Sequence, residues 1–168
     1  MVNSKASKVI FIKSAIALSA AALILSGCGK GGDKSAAVPA DGVEVKIGHV
    51  APLTGPIAHL GKDNENGARL ALEEINKAGL TIDGKKVVLT LVPEDDAEDP
   101  KTATQVAQKL VDAKVAGVVG HLNSGTSIPA SKIYSDAGIT QISPSATNPD
   151  YTKQGFKTTY RLVATDAQ

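Results

Sequence analysis

The chain has 168 residues, of which 42 % are hydrophobic, 21 % charged and 3 % aromatic, a balance that excludes a disordered tail and a multi-span membrane protein. Its formal charge is +1, but Lys5, Lys8 and Lys13 fall in an acid-free leader, and without them fifteen basic residues face seventeen acidic ones, a net of −2. With neither a basic surplus nor base-stacking aromatics, nucleic acid is not an expected partner.

The three leading lysines precede an apolar run over residues 14–25, and small residues follow before Cys28. That order of charged, apolar and small residues is the pattern of an export signal, expected over residues 1–27. The run's twelve residues, at about 1.5 Å each, would not cross a hydrocarbon core of about 30 Å, so a cleaved leader is favoured over a permanent span. One cysteine cannot form an internal disulfide, and its place directly after the apolar run makes it a candidate attachment point. Residues 28–42 are rich in small and polar side chains and read as a flexible tether, so folding is expected from Val43 onward.

Val43, Val45 and Ile47 alternate with charged residues, which predicts a strand over 44–51. Ala68, Ala71, Leu72 and Ile75 then sit at helical spacing opposite Arg69, Glu73, Glu74 and Lys77, with Gly79 as a C-terminal cap. The turn Asp83-Gly84 leads into a β-branched strand over 86–92. Asp99-Pro100 predicts a helix start, because the aspartate can accept orphan amides and proline loses nothing at the first helical position. Its apolar face is Ala103, Val106, Ala107, Leu110 and Val111. A short apolar strand at 115–119 follows, then a helix from about Thr126 to Ala137 with Pro129 in its first turn, and strands at 139–143 and 158–163. Strands alternating with helices predict an α/β fold, a doubly wound and mostly parallel sheet with helices on both faces.

Open parallel sheets bind ligands beyond the carboxyl ends of their strands, which directs attention to the loops 52–61, 120–127 and 143–149. The second delivers hydroxyls and free amides to a helix start, where the dipole favours an anion such as a carboxylate; the same residues would also serve as a helix cap. The third places Ser145 and Thr147 after the neighbouring strand, so both hydroxyl sets could converge on one small polar ligand. Several sharper readings fail. Thr126 stands where a phosphate loop needs lysine, and His49, His59 and His121 lack metal-ligand spacing. Asp96, His121 and Ser124 can be written as a hydrolytic triad, but no nucleophile elbow surrounds the serine. The acidic run 94–99 lacks the glycine and terminal glutamate of a calcium loop. No cofactor is implied.

The stretches 47–56, 67–76, 95–100, 119–124 and 142–147 together resemble the type I periplasmic binding proteins of ABC importers, specifically the leucine, isoleucine and valine binding group. The resemblance covers residue 45 to the C-terminus in order. The junction at residues 25–28 likewise resembles the bacterial lipobox, which makes Cys28 the lipidated N-terminus of an exported protein held at a membrane surface, facing the periplasm or cell exterior. By position, the family's carboxylate-binding serine falls on Ser124 and its threonine, which touches carboxylate and ammonium, on Thr147. The carbonyl that receives the ammonium falls on Ser145, and Leu60 and Leu122 fall near the ligand's side chain, with Asn123 and Ala146 completing the expected binding set. Every such contact is a neutral dipole or apolar surface, as a zwitterion requires.

Some members carry a cysteine pair where this chain has Glu98 and Asn123, and Leu60 replaces an aromatic residue, so side-chain preference does not transfer. The family has two hinged α/β lobes, and residues 43–168 are expected to form most of the first, an incomplete half-site. The function implied is capture of an amino acid and its delivery to an ABC permease, with no bond made or broken. A same-fold sensor of amino acids or amides and a lipoprotein hydrolase using Ser124 are the alternatives.

Overall fold

The computed structural model describes residues 42–167. The expected leader, Cys28 and the tether up to residue 41 lie outside the described residues. The elements in order are β1 (Val43–Ala51), α1 (Ala58–Ala78), β2 (Thr81–Ile82), β3 (Lys85–Asp95), α2 (Pro100–Asp112), β4 (Gly117–Gly120), α3 (Ser124–Asp136), β5 (Thr140–Ser143), α4 (Asp150–Lys153) and β6 (Thr159–Arg161). They build one six-stranded sheet in the order β2-β3-β1-β4-β5-β6, parallel throughout except for the β2–β3 pair. The expected mostly parallel α/β sheet is what forms.

Side chains alternate along a strand, and β1 uses both faces. A Cβ added to Gly48 would lie 2.8 Å from Leu110 of α2, whereas Ala51, of opposite parity, meets Gly61 of α1. Helix α1 therefore covers one face of β1 and β3, and α2 packs beside α3 on the other. The core on that second face joins Val50, Val106, Ala107, Leu110, Val115, Val118, Ala130, Tyr134 and Ile139.

Helix α2 begins as its sequence predicts: Asp99 accepts the Thr102 amide at 2.7 Å with Pro100 at the first helical position. Helix α1 differs, starting at Ala58 rather than near Ala68, because Gly61 and Gly67 dilute the helical signal. Its inward face is Gly61, Glu65, Ala68 and Leu72, while Ala71 is exposed and Ile75 is 40 % exposed. Gly61 sets that rotation, since a Cβ there would overlap the Pro52 carbonyl oxygen. Buried Glu65 is tolerated on the inward face because Lys62 and Arg69 reach it at 2.9 and 2.7 Å. Burial opposes its charge, yet these two cations bring its pKa below the ordinary value.

Two further differences are local. Asp83 and Gly84, at φ 50° and 76°, close a two-residue hairpin and so create the short strand β2. Pro129 lies inside α3 rather than in its first turn. The carbonyl it deprives of a partner belongs to exposed Gly125, which water can serve.

Candidate functional site

The order β3-β1-β4-β5 contains a switch point. The chain leaves β1 toward β3 on one side and leaves β4 toward β5 on the other, and ligands of open parallel sheets bind at such a point, here the carboxyl ends of β1 and β4. One bank is the short loop after β1 with the first turn of α1, where Leu60 stands 44 % exposed. The other bank is the turn after β4 and the loop after β5. Because α1 begins at Ala58, the first of the three expected loops ends at residue 57 rather than 61.

Hydrogen bonds join the second and third loops into one rim. The Asn148 amide donates to Ser124 Oγ at 3.1 Å, and Ser145 Oγ donates to the Leu122 carbonyl at 2.8 Å. Ser124 is the first residue of α3, and Asn123 before it supplies no side-chain cap. Nor do the next hydroxyls cap the helix: Thr126 Oγ1 donates back to the Asn123 carbonyl at 3.1 Å and Ser127 Oγ to the His121 carbonyl at 3.0 Å. Ala146 is fully buried, with its amide held by Ser143 Oγ at 2.9 Å. Asn123 Nδ2 reaches Glu98 Oε1 at 3.4 Å, so the two positions set against a family cysteine pair do face each other.

Two partners of this rim are absent from the sequence expectations. Thr147 Oγ1 donates to Asp166 Oδ2 at 2.9 Å, and the Asp166 amide returns to the Thr147 carbonyl at 3.0 Å. Arg161 donates to the Asn148 carbonyl at 3.1 Å and to Thr152 Oγ1 at 3.1 Å, pinning the end of the same loop. Asp166 follows the last strand, so the rule that singled out carboxyl-end loops applies to it as well; Arg161 carries no such signal.

The hydrolytic triad does not assemble. His121 Nδ1 lies 2.8 Å from Asp96 Oδ2, but its other ring nitrogen meets the Tyr134 hydroxyl at 3.2 Å, while Ser124 Oγ serves Asn148. His121 is also wholly buried, and burial lowers its pKa against the opposing pull of Asp96. The acidic run is spent on turns. Asp95 accepts from the Leu53 and Ala97 amides at 2.8 Å and from Thr54 Oγ1 at 2.6 Å, which fastens the loop after β1. Burial would raise the Asp95 pKa, but these donors hold it below the ordinary carboxylate range. His49 is buried under α1, donates from Nδ1 to the Val119 carbonyl at 3.0 Å and has its pKa lowered by burial; His59 is exposed on α1.

Known proteins share both sequence and fold. The family model for periplasmic binding protein matches residues 44–168. Over 125 residues the chain is 45 % identical to the Leu/Ile/Val-binding protein homolog 1 of Brucella abortus, covering 74 % of this chain and 33 % of that one. It is 44 % identical over 122 residues to the leucine-, isoleucine-, valine-, threonine- and alanine-binding protein of Pseudomonas aeruginosa, covering 73 % and 32 %. Among solved structures, the branched-chain amino acid transporter substrate binding protein LivJ of Streptococcus pneumoniae, in complex with isoleucine, aligns with TM-score 0.68 and 36 % identity over 74 % of this chain and 35 % of that one. The chain thus spans about a third of the length of the curated relatives it matches. With a family model matched over its whole described domain, the chain belongs to the periplasmic binding protein family.

Proposed function

We propose that this chain supplies the ligand-gripping lobe of a substrate-binding lipoprotein that serves an ABC importer of branched-chain or related amino acids. Ser124 takes the carboxylate through its hydroxyl and amide at the start of α3, and Thr147, in the loop after β5, offers its amide to the carboxylate and its hydroxyl oxygen to the ammonium while its O–H stays on Asp166. The Ser145 carbonyl and the Asp166 carboxylate receive the ammonium. Leu60 and Leu122 offer apolar surface to the side chain, and Asn123 and Ala146 shape the turns. Cys28 carries the lipid, residues 29–42 give the lobe reach from the membrane, and the loaded protein docks on the permease. The event is binding with hinge closure and involves no catalysis.

The observation that carries this reading is the 3.1 Å bond from the Asn148 amide to Ser124 Oγ, which draws two hydroxyl-bearing loops from separate strands to one rim. An acid beside Thr147 adds the negative charge that an ammonium needs. The branched-chain ligand class comes from the names of the relatives, the Leu/Ile/Val-binding protein homolog of Brucella abortus among them. Calorimetry of the full chain in detergent against L-leucine, L-isoleucine and L-valine tests it. A hydrogen bond to a charged group contributes about 1.5–3 kcal/mol, so Ser124→Ala and Thr147→Ala each weaken binding by roughly 10- to 100-fold. Unchanged affinity in both variants would remove these residues from the site.

A further inference from the structure

We infer that Asp96, His121 and Tyr134 form a buried positioning unit that holds the ligand-gripping rim in register, a role that deepens the binding reading above. All three residues have 0 % exposure, and the hydrogen bonds of their side chains run to one another and to the Glu98 amide rather than to the hydroxyls of Ser124, Ser145 or Thr147. What they hold is one residue, His121, at the point where the chain leaves β4. Its imidazole is fixed at both nitrogens, by Asp96 Oδ2 at 2.8 Å and by the Tyr134 hydroxyl at 3.2 Å. Its carbonyl accepts two hydroxyls, Ser127 Oγ at 3.0 Å and Ser143 Oγ at 2.6 Å. One residue thereby ties the loop after β3, helix α3 and the end of β5 together.

The path from His121 to the rim is short. Ser143 Oγ, while donating to the His121 carbonyl, accepts the Ala146 amide at 2.9 Å and so sets the turn that presents Ser145 and Thr147. On the other side His121 leads through Leu122, whose carbonyl takes Ser145 Oγ, to Ser124. A site that grips the carboxylate with neutral dipoles gains affinity when those dipoles are held in place before the ligand arrives. A packed hydrocarbon could fill the same volume without fixing the direction of the His121 carbonyl.

The bonding also dictates a tautomer. With Asp96 as the carboxylate, Oδ1 accepts the Glu98 amide at 3.1 Å and Oδ2 is left as an acceptor for the ring, which puts the proton on Nδ1. Nε2 is left to accept the Tyr134 O–H. In Asp96→Asn one of these two oxygens becomes an amide NH2, which can only donate. With the remaining oxygen kept for Glu98, the ring must turn its lone pair toward residue 96 and donate to Tyr134.

Solution NMR of the isotope-labelled full chain in detergent tests this in three measurements. The wild-type imidazole should carry its proton on Nδ1, and Asp96→Asn should move it to Nε2. Tyr134→Phe, which removes one oxygen and keeps the ring packing, should leave the proton on Nδ1 but shift or broaden the Ser124, Ser145 and Thr147 amide signals while distant amides in β3 stay put. L-leucine, added to the same samples, should bind about 3- to 10-fold more weakly to the Phe variant. Rim amides that do not respond in a folded Phe variant would overturn the inference, as would a wild-type proton on Nε2. The Nδ1 tautomer in the wild-type chain and the rim response in the Phe variant, with no binding of L-leucine by either, would uphold the positioning unit and remove the amino-acid reading.

Discussion

Gly61 stands where a side chain would collide with backbone, and Gly67, about one and two-thirds turns along the same helix, stands in open space. The pair separates two roles of glycine. At Gly61 a methyl group would overlap the Pro52 carbonyl oxygen and push the first turn of α1, with Leu60, away from the loop after β1. Gly61→Ala is expected to destabilise by about 1–3 kcal/mol, the usual cost of overpacking. Gly67→Ala is expected to stabilise by about 0.5–1 kcal/mol, because the unfolded chain loses freedom and nothing is displaced. Urea denaturation of the two variants measures the contrast, and equal shifts would refute the close approach. At the same scale the candidate rim was half legible. Ser124 and Thr147 stood out as candidates because hydroxyls clustered in loops after strands and matched a family pattern. Ser143 could not, because it looked like the end of a strand; its role as a node depends on where His121 and Ala146 fall in space.

Helices were legible where local chemistry agreed with packing. Asp99 and Pro100 placed the start of α2 to the residue, and of its expected apolar face Ala103, Val106, Ala107 and Leu110 are buried while Val111 is half-buried. Helix α1 hid its first ten residues because glycine spacing and a buried Glu65 broke the apolar stripe, and only the fold supplies the close approach and ion pairs that explain them. Strand β2 and helix α4 were missed because two and four residues leave no periodicity to read. Helix α2 holds the sheet through Leu110, fully buried against Gly48 and Val118. Leu110→Ala should cost about 2–5 kcal/mol, within the range for buried leucines. Thermal or urea unfolding checks it, and a loss below about 1 kcal/mol would mean that this side of the core is looser than its burial implies.

For the whole molecule, the parallel order with one switch point brings the rim into being, since no single element carries both hydroxyl loops. The same burial makes the lobe sensitive to acid. His49 and His121 both have pKa values below the ordinary 6.5, chiefly through burial. The unfolded chain therefore takes up protons that the folded chain refuses as pH falls through that value. Stability is full above about pH 6.5 and declines below it, by up to about 1.4 kcal/mol per pH unit for each ring. The lowered carboxylates Glu65 and Asp95 add a further loss only in more acid solution, as pH falls below about 4. Urea midpoints at pH 7.5 and 5.5 test the histidine part, and equal midpoints would contradict neutral buried rings.

The central claim is that one rim grips both charged ends of a small zwitterion. Its most direct measurement is amide NMR of the isotope-labelled full chain titrated with L-leucine, with 3-methylbutylamine, which lacks the carboxylate, and with 4-methylpentanoate, which lacks the ammonium. Saturable shifts at Ser124, Ser145, Thr147 and Asp166 with L-leucine, at least tenfold weaker with either half-molecule, are the result predicted. Shifts of equal strength with all three compounds, or shifts confined to residues away from these loops, would contradict it.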